Sequence, residues 1–208
     1  MRTAVRLRAG CFQERASEGR IGARVASLRM GGNDTRVVIP EVTDGWANHQ
    51  ALLVRALRDL TPEQLDLRAA PHHWAIWQLA GHVAGARTYW FYDWMGEGDP
   101  AVRDLFRVTS TTLPDLSLED AGWEDDEDHP RDAAELVEGL RVTWGVIDDC
   151  LRRWTSEDLA AAFTKHRPRG DRTVTRGWVV WHVLEHDVHH GGEISQILGS
   201  HGLPPLDM

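Results

Sequence analysis

Two cysteines in 208 residues, Cys11 and Cys150, are too few for a disulfide framework, and a reduced, cytoplasmic setting is expected. No run of about 18 apolar residues occurs, so no membrane span is expected. The first residues lack the continuous apolar stretch of a secretory signal peptide. Cationic charge is scarce: the net charge of −9 disfavours polyanionic partners, and no nucleic-acid partner is expected. There is no internal repeat and no convincing set of strands. The acidic run Glu124-Asp125-Asp126-Glu127-Asp128 lacks the alternating ligands, central glycine and twelfth-position glutamate of a calcium loop, and reads as a solvated loop. No nucleophilic serine or cysteine motif lies near the histidines, and Cys150, beside Ile147 and Leu151, reads as a core residue.

What is present suits one globular domain: 42% hydrophobic and 26% charged residues supply a real core. Ten tryptophans are many for this length, and most of them must be buried or line a pocket. Charge is uneven, since residues 1–29 hold seven arginines against Glu14 and Glu18. Residues 1–33 are therefore read as an Arg-rich arm, disordered or preceding a true start at Met30, where a Gly-Gly-Asn linker opens. The folded domain is assigned to residues 34–208.

Helical periodicity begins near Thr43, with Thr43 or Asp44 as N-cap and Trp46, Leu53, Leu57 and Leu60 on one face. A second helix is predicted from about Ala75 to Met95, ended by Gly96-Glu97-Gly98-Asp99-Pro100. A third spans roughly Arg131 to Trp154, and a fourth runs from about Thr175 to Leu198 before Gly199 and Gly202. Between the second and third lies a long polar connection. Four long helices with one long crossover predict an all-α four-helix bundle.

The chemistry-bearing segment is Trp181-His182-Val183-Leu184-Glu185-His186-Asp187-Val188-His189-His190-Gly191-Gly192-Glu193. On a helix, His182, His186 and His190 share a face, and imidazoles four residues apart can converge on one ion. Clustered buried histidines repel when protonated, whereas neutral imidazoles around a divalent cation do not. His189 points about 100° away from His190. Glu185 or Asp187 is a candidate to orient an imidazole N–H. His82, midway along the second helix, reads by its neighbours as a core histidine.

Trp74-Ala75-Ile76-Trp77-Gln78-Leu79-Ala80-Gly81-His82 resembles the second-helix motif of the DinB-like metalloprotein superfamily, and Thr175-Arg176-Gly177-Trp178 through His190-Gly191-Gly192-Glu193-Ile194 resembles its last-helix motif. The resemblance covers roughly Trp46 to Pro205. It implies an up-down-down-up bundle, often dimeric, with a metal held by His82, His186 and His190. It departs from the common ending His-His-Arg-Gly-Gln at Gly191-Gly192-Glu193, losing a cation and gaining a carboxylate. His182 is then a pocket or supporting group, as is Glu185. Trp77, Trp178 and Trp181 are candidates to line an apolar pocket.

The resemblance further implies one divalent ion, zinc, nickel or iron, and a low-molecular-weight thiol such as mycothiol or bacillithiol as cosubstrate. The function expected is thiol S-transfer to a small electrophile. Metal-dependent hydrolysis is the alternative within enzymes, and non-catalytic metal or small-molecule binding the alternative outside them. The partners expected are a small-molecule substrate and a second copy of the chain.

Overall fold

The computed structural model describes residues 40–106, 122–166 and 170–207. The Arg-rich arm and the start at Met30 lie outside the described residues. Four long helices form an all-α bundle: α1 (Pro40–Leu57), α3 (Ile76–Thr88), α5 (Ala133–Arg153) and α7 (Arg176–Ser200). Three short helices connect them: α2 (Pro62–Leu65), α4 (Pro100–Leu105) and α6 (Ser156–Ala160). α3 packs against α5 and α7, and α1 packs against the same two, so the cyclic order is α1, α5, α3, α7.

The helix ends follow local chemistry. Pro40 opens α1 at a position where a missing N–H costs nothing, which leaves Thr43 and Asp44 inside the helix rather than at its cap. The Asp132 side chain accepts from the Glu135 N–H, and Glu135 answers from its own side chain to the Asp132 N–H, closing a reciprocal cap on α5. Thr175 Oγ1 accepts from the Trp178 N–H at 3.1 Å and starts α7. α3 carries on as a π-helical turn, Tyr89–Trp94, until Gly96 and Gly98, at φ +70° and +94°, turn the chain.

The core has two apolar clusters. One gathers Leu53, Leu57, Ile76, Leu79, Val83, Leu136, Leu140 and Ile194. The other gathers Trp46, Trp90, Phe91, Ile147, Leu151, Trp154, Val179 and Val183. Along every long helix a buried polar residue separates them: Gln50 on α1, Arg87 on α3, Thr143 on α5 and Asp187 on α7. Arg87 donates to Asp187 Oδ2 from Nη2 at 2.7 Å and Nε at 3.0 Å, and to Gln50 Oε1 from Nη1 at 2.8 Å. Trp46 Nε1 donates to the same Asp187 oxygen at 2.7 Å. Six of the ten tryptophans are buried, which agrees with their expected role.

Two sequence expectations are corrected here. Residues Ala162–Lys165 (β1) and Arg172–Thr175 (β2) pair as an antiparallel hairpin, with Phe163 opposite Val174. Four-residue strands are too short to show an alternation, so no convincing set of strands is visible in the sequence. The acidic run is not simply solvated either. Trp123–Asp125 forms a 3-10 turn, with Trp123 buried against Phe106, and Asp126 is fully buried with Arg131 at 2.9 Å and His129 at 3.1 Å. Glu127 and Asp128 are the exposed members.

Candidate metal centre

α3 places His82 on its half-buried side, facing α7. The neighbouring Gly81 matters, because a Cβ there would stand 3.0 Å from Trp123 Cβ. Trp123 seats in that notch and against Gly139, and Gln78 Nε2 donates to the Glu124 carbonyl at 2.8 Å. The 3-10 turn is thereby held so that Glu124 Oε1 lies 2.6 Å from His82 Nδ1.

α7 contributes His186 and His190, four residues apart. His186 Nε2 lies 3.0 Å from His82 Nε2, and ring centroids within the trio are 4.8 Å, 5.0 Å and 4.4 Å apart. One nitrogen from each ring falls within 4.8 Å of the other two. His190 Nδ1 is 2.7 Å from Glu193 Oε2, one turn further on. Two carboxylates thus take the Nδ1–H of His82 and His190, which leaves their Nε2 lone pairs free, that of His82 facing His186.

Burial, then the neighbouring His190 and His82, pushes the His186 imidazole down to about 2. Burial also lowers His190 against the raising influence of Glu193. Both rings are therefore neutral at ordinary pH, the state in which imidazole binds metal. Converging lone pairs do not attract one another, and a cation between them resolves the conflict. Nitrogens bound to a four-coordinate ion at about 2.0–2.1 Å stand roughly 3.3 Å apart, close to the separation of His82 and His186. The donor set fits a divalent metal. Among the described residues this group comprises these three side chains, and a second group of three, His189, His190 and Glu193, shares His190 with it.

The remaining candidates are placed unequally. Trp178 stacks on His182 with ring centroids 4.7 Å apart and planes 19° apart, and the His182 centroid is 6.4 Å from that of His186. Trp77 is buried in the core beside Ile76 and Ala80. Trp181 is 57% exposed on the outer side of α7. Glu185 is exposed, with its nearest imidazole nitrogen on His182 at 3.9 Å. Asp187 turns into the core to Arg87, so the imidazole partners are Glu124 and Glu193 instead. His189 is exposed, 3.8 Å from Glu193.

Sequence reading passed over the roles of five neighbours of the site. Trp74 lies over His82, at 4.8 Å between centroids, and 6.4 Å from His190. Glu124 comes from 42 residues away, and no local pattern announces it. Trp90 meets the edge of His182 at 5.1 Å, and Arg172 lies against Trp178. Glu193, three residues after His190, had a readable signal in its spacing.

Solved structures share the architecture. A DinB-like protein from Bacillus cereus ATCC 10987 aligns with a TM-score of 0.55 at 18% identity, covering 82% of this chain and 97% of that one. A conserved protein from Enterococcus faecalis aligns with a TM-score of 0.57 at 16% identity, covering 78% and 98%. At such identities the likeness speaks for the fold. No curated protein matches the chain. The DinB superfamily pattern matches residues 46–194, a span that holds all three central histidines. The chain belongs to the DinB superfamily.

Proposed function

We propose that His82, His186 and His190 hold one divalent ion between α3 and α7, and that the protein is an enzyme transferring a low-molecular-weight thiol to a small electrophile. The observation that supports this most is the inward convergence of three imidazole nitrogens, two of them braced by carboxylates. His82, His186 and His190 would hold zinc, nickel or iron, and such an ion would lower the pKa of a coordinated thiol or water.

The chain's own groups do the positioning. Glu124 and Glu193 fix the tautomers of His82 and His190, and Trp74 covers His82. Cys150 supplies no sulfur, because burial pushes its thiol up to about 12. In this reading the thiol arrives as a cosubstrate of the mycothiol or bacillithiol kind. It loses its proton to solvent, its sulfur bonds the electrophilic carbon, and the displaced group leaves with the electrons of the broken bond.

The partner is a second copy of the chain. Trp181 and Val188, 57% and 48% exposed, form with Leu184 an apolar stripe on the outside of α7. An antiparallel twin would cover it.

The test is metal analysis of the purified protein followed by a panel of thiols with a generic electrophile. Bound metal with thiol-dependent turnover is expected, and His186→Ala should lose both. Transferase activity surviving in that variant refutes the proposal. Turnover without thiol would identify a metal-dependent hydrolase instead, and metal without turnover a binding protein.

A further inference from the structure

The face of α7 that carries the histidines is longer than the three-imidazole cluster. Trp178, His182, His186 and His190 repeat every four residues, all half-buried, along a single stripe. Beyond its first turn stands Arg172 on β2. Strand alternation puts Arg172 on the same face as buried Val174, turned toward the bundle rather than toward solvent. Its guanidinium carbon lies 4.6 Å from the centroid of Trp178 and 5.4 Å from that of Trp90.

Arg172 differs from its neighbours in what it lacks. Arg153 and Arg176 both pair with Glu97, Arg152 pairs with Asp148, and Arg87 is spent on Asp187. Among the described residues no carboxylate pairs with Arg172. A guanidinium resting against aromatic rings keeps its N–H edges available, and those edges match a planar anion in a two-point contact.

The geometry points to an organic-anion subsite at Arg172, at the opposite end of the α7 stripe from the three-imidazole cluster. This rests on the reading of that cluster as the reaction centre. Trp178 and His186 are eight residues apart on one helix, about 12 Å along its axis. The ligand class is therefore elongated: a carboxylate, sulfonate or phosphate at one end, a flat or apolar middle along the edges of the stacked Trp178 and His182, and the reacting atom at the other end. The acidic group belongs either to the thiol or to the electrophile.

The test is equilibrium binding, read by calorimetry and by tryptophan fluorescence, to the full metal-loaded chain. In the thiol arm, 6-mercaptohexanoate is compared with 6-mercaptohexanol. In the electrophile arm, 4-chloro-3,5-dinitrobenzoate is compared with uncharged 1-chloro-2,4-dinitrobenzene. At least one charged member should bind roughly tenfold tighter than its neutral counterpart, and the arm in which it does so names the source of the anion. Arg172→Gln should erase that preference with metal content and melting temperature unchanged, and Arg172→Lys should restore part of it. Equal binding of charged and neutral ligands in both arms, or a preference that survives Arg172→Gln, overturns the subsite. The metal proposal fails by a different sign, the absence of metal from the wild-type chain, so the two failures are distinguishable.

Discussion

Replacing Asp187 by alanine removes the acceptor of three buried donors at once. Trp46 Nε1 and two nitrogens of Arg87 converge on its Oδ2, and both side chains of the ion pair are fully buried. Alanine strands the guanidinium with only Gln50 Oε1, the Leu140 carbonyl and Thr143 Oγ1 near its Nη1. Breaking one side of a buried ion pair costs about 3–5 kcal/mol. Against a total stability of roughly 5–15 kcal/mol, that is a large part of the whole. For a chain of this size each kcal/mol moves the melting temperature by about 2–4 °C, so a fall of roughly 6–20 °C is expected. Urea titration followed by circular dichroism and by tryptophan emission measures it. The double variant Arg87→Met with Asp187→Leu should recover most of the loss, since two apolar groups leave no charge behind. A single-variant loss below about 1 kcal/mol, or a double variant no better than the single, would refute the reasoning.

Glu124→Ala frees His82 Nδ1 and should weaken metal binding about 10–100-fold in a chelator competition, with the helical content unchanged. Gly81→Ala drives a methyl against Trp123 and should lower stability by about 1–3 kcal/mol in denaturant titration. In a Cys11→Ser background, Cys150 should resist a thiol-reactive dye in the native protein at pH 8 and react once the chain is unfolded. Its thiol, held up to about 12, stays protonated far above its ordinary range. Rapid native labelling would contradict the burial assigned to it.

The four long helices were legible because each repeats apolar residues at helical spacing for several turns, and their predicted bounds lie within a few residues of those observed. The hairpin was not, since β1 and β2 offer too few residues for a pattern. His186 and His190 carried their own signal in a four-residue interval, whereas His82 stood out only through the resemblance. The acidic run misled because what decides each of its carboxylates is distant or hidden: His82 for Glu124, Arg131 for Asp126. Asp187 misled differently. It shares the face of Val179, Val183, Gly191 and Ile194, which marks it as inward, but its partner Arg87 is 100 residues away and its adjacency to His186 suggested another role.

The level at which the two histidine-bearing helices meet is set by more than apolar packing. Apolar ridges tolerate sliding, because a leucine can exchange one greasy neighbour for another. Arg87 and Asp187 cannot: a slip of one turn, about 5.4 Å, would leave each charge against hydrocarbon. Arg87 lies five residues beyond His82, and Asp187 directly follows His186. The ion pair therefore acts as a detent, a click-stop holding α3 and α7 in the one phase that keeps His82 across from His186. The alignment of the imidazoles is thereby tied to a charge pair buried one layer beneath them.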